Sequence, residues 1–273
     1  MIKDILVNIA VSVADDATLT YALGLARALD AHLLGVAFAY EAVPPAMLTD
    51  DVPLTWVEEF RREAEAAARA AAARFDAAAR QTGMAVETRT MSASFDGTPD
   101  VLGRMARRVV LAVVRQTEPG KNTPAPLIIE AALFETGRPV VIVPYVQRDA
   151  ARLDRIMVAW DGSRSAARAV HDAIPLLRRA ARVEVVAVRE GGKEDEIGDI
   201  GPHLARHEIK VEVKPIVAPD AKVADVLLSH AADTAVDLLV MGGFGHSRLR
   251  EFVLGGVTRS ILESMTIPTL MAH

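Results

Sequence analysis

One pattern of apolar runs occurs twice along the chain, and that repeat restricts the available folds more than any other feature. In the first half, Ile5 to Ala10 and His32 to Phe38 are apolar runs of strand length. Between them Leu19, Ala22, Leu23, Ala26 and Leu29 fall on one face at helical spacing. Pro44, Pro45 and Pro53 punctuate a connection, and Trp56 to Gln81 is an Ala/Glu/Arg stretch of strong helix propensity stopped by Gly83. Val86 to Met91, Val109 to Val114 and Val140 to Val143 read as further strands, with helices at Asp100 to Arg107 and Leu127 to Glu135. The second half begins again with strands at Arg155 to Trp160, Val183 to Val188, Val211 to Val217, Leu238 to Met241 and Thr269 to Met271. Its helices are Ser165 to Arg179, a stretch near His203, Ala224 to Thr234 and Val257 to Ser264.

The repeat is visible in the letters. DILVNIAV and ALGLARALDAHLLGVA line up with RIMVAWDG and AIPLLRRAARVEVVAV, ARRVVLAVVRQ with AVDLLVMGG, and GRPVVIVPY with MTIPTLMAH. Strands apolar on both faces and separated by helices belong in a parallel sheet covered on each side. The fold class is therefore α/β, with two tandem Rossmann-like doubly wound domains, each built on a five-stranded parallel sheet. A length of 273 residues suits two such units. Gln147 to Asp154 is short, polar and charged, the natural linker, which gives domains at 1–146 and 153–273.

The charge balance is mildly acidic, with a net charge of -5, so no basic face for nucleic acid is expected. There is no cysteine, which excludes disulfides, Cys-ligated zinc and iron–sulfur sites. The apolar stretch Ile5 to Val13 is too short to span a bilayer and lacks a basic leader, so it reads as a buried strand. No membrane span is expected, and the reading is of a soluble, cytoplasmic protein.

Chemistry concentrates in GGFGHSRLREFVLGGVT, from Gly242 to Thr258. Gly242 and Gly243 follow a strand directly, Gly245 comes two residues later, and Gly255 and Gly256 open the last helix. Glycines let successive backbone N–H groups turn toward an anion, and a helix start adds unpaired N–H groups and the positive end of its dipole. The carboxyl end of a parallel strand is where doubly wound sheets bind ligands. The competing reading is a tight turn packed against the neighbouring domain, without a ligand.

G-x2-G-x9-G, after a DLLVMG strand and before a proline-led last strand, resembles the nucleotide-binding signature of the universal stress protein family. Gly242, Gly245 and Gly255 match it at the right spacing. The likeness covers the chain as two copies, sharp in the second and faint in the first. It implies an adenine-nucleotide site in the second domain formed by Asp161, Val188, Gly242, Gly245, His246, Ser247, Gly255, Gly256, Val257 and Thr258. Asp161, in VAWDGS, would accept hydrogen bonds from ribose hydroxyls, or alternatively belong to a helix cap. Backbone near Val188 would border the adenine. Gly256 stands where nucleotide-binding members carry Ser or Thr, which removes a hydroxyl phosphate ligand that Thr258 could replace. His246 occupies an often basic position, so charge there depends on pH. The implied ligand is ATP, or ADP or AMP, with or without Mg2+. The implied role is a stress-response sensor or adaptor, with the tandem chain as an intramolecular version of the family's homodimer. The last strands of the two halves would then meet edge to edge. Pairing of whole chains into a further homodimer, and a protein partner of unidentified nature, complete the implications.

The first domain is expected to lack the site. Its first strand ends at Ala10 with no matching aspartate, and Asp15 or Asp16 caps the next helix. Its counterpart of the glycine segment, Arg115 to Pro126, holds one glycine and three prolines, which offer no N–H to a phosphate. Lys121 reads as a solvated lysine. His203 and His207 have the four-residue spacing of metal ligands but no third partner, and read as solvated helix histidines. Two other functions remain open. One is a slow ATP hydrolase, for which Asp161 and His246 are the available groups. The other is a nucleotide-independent scaffold for protein partners.

Overall fold

The apolar runs of both halves pair into one continuous ten-stranded sheet. The computed structural model describes residues 1–13, 16–41, 54–189, 200–244 and 256–273. In chain order the first half is β1 (Asp4–Ile9), α1 (Ala17–Leu29), β2 (His32–Tyr40), α2 (Leu54–Gln81), β3 (Glu87–Ala93), α3 (Thr98–Ala106), β4 (Leu111–Arg115), α4 (Ala125–Phe134) and β5 (Val140–Val143). The second is β6 (Arg155–Ala159), α5 (Arg164–Leu177), β7 (Arg182–Arg189), α6 (Ile200–Arg206), β8 (Val211–Val217), α7 (Val223–Asp233), β9 (Leu238–Gly242), α8 (Gly256–Ser264) and β10 (Thr269–Ala272). These agree with the sequence expectation, element by element, to within two or three residues at each end.

Strand order across the sheet is β3-β2-β1-β4-β5-β10-β9-β6-β7-β8. Within each half all pairs are parallel, and the halves meet through the antiparallel pair β5 and β10, Thr269 opposite Ile142 and Met271 opposite Val140. All four residues of β5 and all four of β10 are buried, as expected of strands covered on both faces. One face carries α1, α2, α5 and α6 over Val7, Val113, Val158 and Val240. The other carries α3, α4, α7 and α8 over Leu6, Ala112, Met157 and Leu239. Each core runs unbroken from one half into the other, so the halves share apolar burial as well as a strand pair.

Sheet register equates the repeats residue by residue. Ile5 opposes Leu111 as Ile156 opposes Leu238, so β1 corresponds to β6 and β4 to β9. It also places Phe38, rather than the Ala37 of the letter alignment, where Val188 stands.

The outer part of the second half carries a buried charge. Glu184 on β7 is 3% exposed and lies 2.8 Å from Arg182, 3.1 Å from Lys214 and 3.0 Å from His230. Burial pushes its carboxyl up, but hydrogen bonds from His230 and Lys214 and the charges of Lys214 and Arg182 outweigh this and hold it below the usual range. A carboxyl lowered in the folded state stabilises the fold above its unfolded pKa, and that contribution disappears as pH falls through the folded value. The melting temperature of Glu184→Gln should therefore fall less steeply than that of the wild type between about pH 5 and pH 3. Parallel slopes in thermal melts across that range would remove the assignment.

Candidate functional site at the strand ends of the second half

The carboxyl ends of β6 and β9 are neighbours, because these strands pair with one another. Past β6, Trp160 extends the ladder through its N–H to the Val186 carbonyl. The indole Nε1 of Trp160 is buried and has no hydrogen-bond partner among the described residues. Asp161-Gly162-Ser163 then turns the chain into α5. Asp161 Oδ1 accepts the Ser163 N–H at 2.9 Å, and Gly162 sits at φ 74°, a conformation that favours glycine. The helix cap is Ser163, whose hydroxyl accepts the Ala166 N–H at 3.2 Å. Asp161 is therefore not the cap. It is exposed, and its other carboxylate oxygen accepts no hydrogen bond among the described residues.

At β9 the glycine has a packing reason. A Cβ on Gly242 would lie 2.5 Å from the Ala166 nitrogen, 2.6 Å from Ser165 Oγ and 2.7 Å from the Ser165 carbonyl carbon. The first turn of α5 thus rests directly on the end of β9. Gly243 continues the sheet through its N–H to the Ala272 carbonyl, 2.8 Å, and a Cβ there would make only ordinary contacts, the nearest to Leu133 Cδ2 at 3.6 Å. Phe244 follows in the left-handed region at φ 54° and donates its N–H to Thr258 Oγ1 at 3.2 Å. Gly256 and Val257 are exposed at the start of α8, whereas Thr258 is buried. Its hydroxyl oxygen ties the start of the glycine segment to the start of the helix. Val188 is part-buried near the end of β7, paired with Ile216 on β8. Gly245, His246, Ser247 and Gly255 lie outside the described residues.

The first half fills the same place with protein. By register Arg115 occupies the position of Gly242 and Ala10 that of Asp161. The Arg115 guanidinium reaches Asp16 at 3.3 Å, and the Asp16 side chain is 1% exposed. Asp16 also caps α1 by accepting the Thr18 N–H at 3.1 Å, and it accepts the Ala10 N–H at 3.3 Å. Glu118 joins Arg115 at 3.5 Å and Lys121 at 2.9 Å, so Lys121 is an ion-paired lysine, although exposed. His203 and His207 lie edge to face at 4.9 Å, and no cluster of three His, Asp or Glu residues able to hold a metal occurs among the described residues.

Sequence reasoning did not single out Arg115, Ser165 or Phe244. The alignment of ARRVVLAVVRQ with AVDLLVMGG already sets Arg115 opposite Gly242, and that charged residue in place of a glycine was the available signal. The roles of Ser165 and Phe244 depend on contacts between distant segments.

Two doubly wound halves fused through one sheet, with an exposed carboxylate at the end of β6 and an arginine–aspartate ion pair at the equivalent end in the first half, define a tandem α/β protein with a candidate ligand site in its second half. Residues 152–273 match the universal stress protein family model, so the second half is a domain of that family, and the first half repeats its fold. A universal stress protein of Synechocystis sp. is 26% identical over 147 residues, which cover 52% of this chain and 49% of that relative. The match thus spans about half the length of the curated relative. The fold is also that of a universal stress protein from Archaeoglobus fulgidus, at 15% identity and a TM-score of 0.68, covering 98% of this chain and 95% of that one. A Pseudomonas aeruginosa protein of unknown function follows at 14% identity and a TM-score of 0.59, covering 99% and 92% of the two chains. No helix among the described residues is long and apolar enough to cross a membrane.

Proposed function

We propose that this chain binds ATP, or the related ADP or AMP, in its C-terminal domain at 153–273, and acts as a stress-response sensor or adaptor. The N-terminal domain, 1–146, is the degenerate partner. The observation that carries this reading is the asymmetry of equivalent positions. Asp161 is exposed at the end of β6, whereas in the first half Arg115, at the position of Gly242, is ion-paired with the buried Asp16. Asp161 has a carboxylate oxygen available for ribose hydroxyls, and the start of α8 supplies exposed backbone N–H groups at its positive end for phosphate. Mg2+ would arrive on the phosphates. The joining of β5 to β10 supports the tandem chain as an intramolecular form of a two-domain assembly. Binding by titration calorimetry on nucleotide-stripped protein tests the reading: one site per chain is expected, weakened at least about tenfold in Asp161→Ala, since a hydrogen bond to a charged group contributes about 1.5–3 kcal/mol. No heat at millimolar nucleotide would end it and bring a nucleotide-independent scaffold to the front.

A further inference from the structure

The glycine segment of the second half is entered at Phe244 and runs into α8, and side chains of the first half touch Phe244 and the last turn of α8. Phe244 has φ 54°, a conformation that a bulky L-residue holds only when its surroundings impose it. Its ring packs against Phe134, the last residue of α4, with centroids 4.9 Å apart. Phe134 in turn meets the edge of His273 at 5.0 Å, and His273 Nδ1 lies 3.2 Å from the Gly243 carbonyl, which can only accept. At the other end, Gln116 Nε2 donates to the Leu262 carbonyl at 2.8 Å. That carbonyl lies in the last turn of α8, where helix geometry provides no partner of its own. Gln116 is 1% exposed and its Oε1 accepts the Tyr145 N–H at 3.2 Å, so the amide is fixed from both sides.

The reciprocal contacts are not made. By register Gln116 corresponds to Gly243, which has no side chain to reach the Leu133 carbonyl. Phe134 corresponds by the same repeat to Glu263, which pairs with Arg259 inside its own helix, and Phe244 corresponds to Thr117. The two halves therefore share a sheet symmetrically but support their strand-end segments asymmetrically.

We propose that Phe134 and Gln116 of the N-terminal half are positioning residues for the C-terminal ligand site, holding the frame formed by Phe244, Thr258 and α8. The degenerate half thus acts as a built-in support for the site of its neighbour. This rests on the nucleotide reading for its ligand but not for its structural content, and the test separates the two.

The test follows two quantities in full-length Phe134→Ala, Phe134→Tyr and Gln116→Ala. One is the exchange rate of the Phe244 amide, whose N–H bonds to Thr258; the other is the ATP dissociation constant. In Phe134→Ala and Gln116→Ala, exchange at Phe244 should rise about tenfold and ATP affinity fall about tenfold. Phe134→Tyr should restore both, and amides of Leu270 and Met271 in the β5–β10 junction should exchange at the wild-type rate in all three. Unchanged Phe244 exchange in Phe134→Ala overturns the proposal, as does faster exchange spread equally over the junction. If the wild type binds no ATP while Phe244 exchange responds as described, the nucleotide reading fails and the support of the frame stands. If ATP binds and the alanine variants bind it as tightly as the wild type, the positioning role fails while the nucleotide reading stands.

Discussion

Gly242→Ala should cost about 3 kcal/mol of stability and abolish ligand binding, whereas Gly243→Ala should be close to neutral. The added methyl at 242 meets the backbone nitrogen of Ala166 at 2.5 Å and the Ser165 carbonyl carbon at 2.7 Å, and neither can turn aside as a side chain would. Relief requires α5 to lift from β9. That helix buries Ala166, Ala169, Val170, Ala173, Leu176 and Leu177, so lifting it opens the core. At 243 the nearest atom to an added methyl is Leu133 Cδ2 at 3.6 Å, an ordinary contact. For a chain of this size 3 kcal/mol corresponds to roughly 6–12 °C in melting temperature. Thermal melts of the two single variants decide it. Equal stability of Gly242→Ala and the wild type would mean that the close approach is not what requires glycine there.

The second large effect separates two aspartates with different surroundings. Arg115→Ala leaves the Asp16 carboxylate, 1% exposed, with backbone N–H donors but no countercharge, and should cost about 2–4 kcal/mol. Asp161→Ala removes an exposed carboxylate whose described bond is one turn N–H, and should cost less than about 1 kcal/mol. Ligand binding should show the reverse order: Asp161→Ala weakens it at least about tenfold, and Arg115→Ala keeps it at wild-type affinity. Urea unfolding alongside calorimetry on the two variants checks both axes. An Arg115→Ala protein as stable as the wild type would show that the first half does not depend on its internal ion pair. Improved ATP binding at a second site in that variant would show that Arg115 excludes ligand from a competent site.

Much of this architecture could be read from the letters because the strands are apolar on both faces. Val140 to Val143 and Leu238 to Met241 have no polar residue to turn to solvent, so a doubly covered parallel sheet was the available solution. The edge-to-edge meeting of the last strands was implied by the family resemblance, and it pairs backbone groups that would otherwise lie on an open edge. That Asp15 or Asp16 caps α1 was legible from their place before a helical face, and the structure gives the cap to Asp16. The reasons for individual site residues were less accessible. Gly242 looks like a phosphate glycine in sequence, yet its close neighbours are Ser165 and Ala166, 77 and 76 positions away in the chain. Thr258, a candidate phosphate ligand by the family resemblance, lends its oxygen to Phe244. Phe134 and Gln116 reach the second half only because β5 and β10 join the sheets, a relation that carries no local signal.

The central claim is that nucleotide sits at the strand ends of the second half and not of the first. Photolabelling of the wild-type chain with azido-ATP, with excess ATP as competitor and peptide mapping by mass spectrometry, tests it directly. The account predicts competitor-sensitive label within 153–273, in peptides containing Val188 or the segment from Gly242 to Thr258. Competitor-sensitive label in peptides of 1–146 containing Phe38 or Arg115 would contradict it.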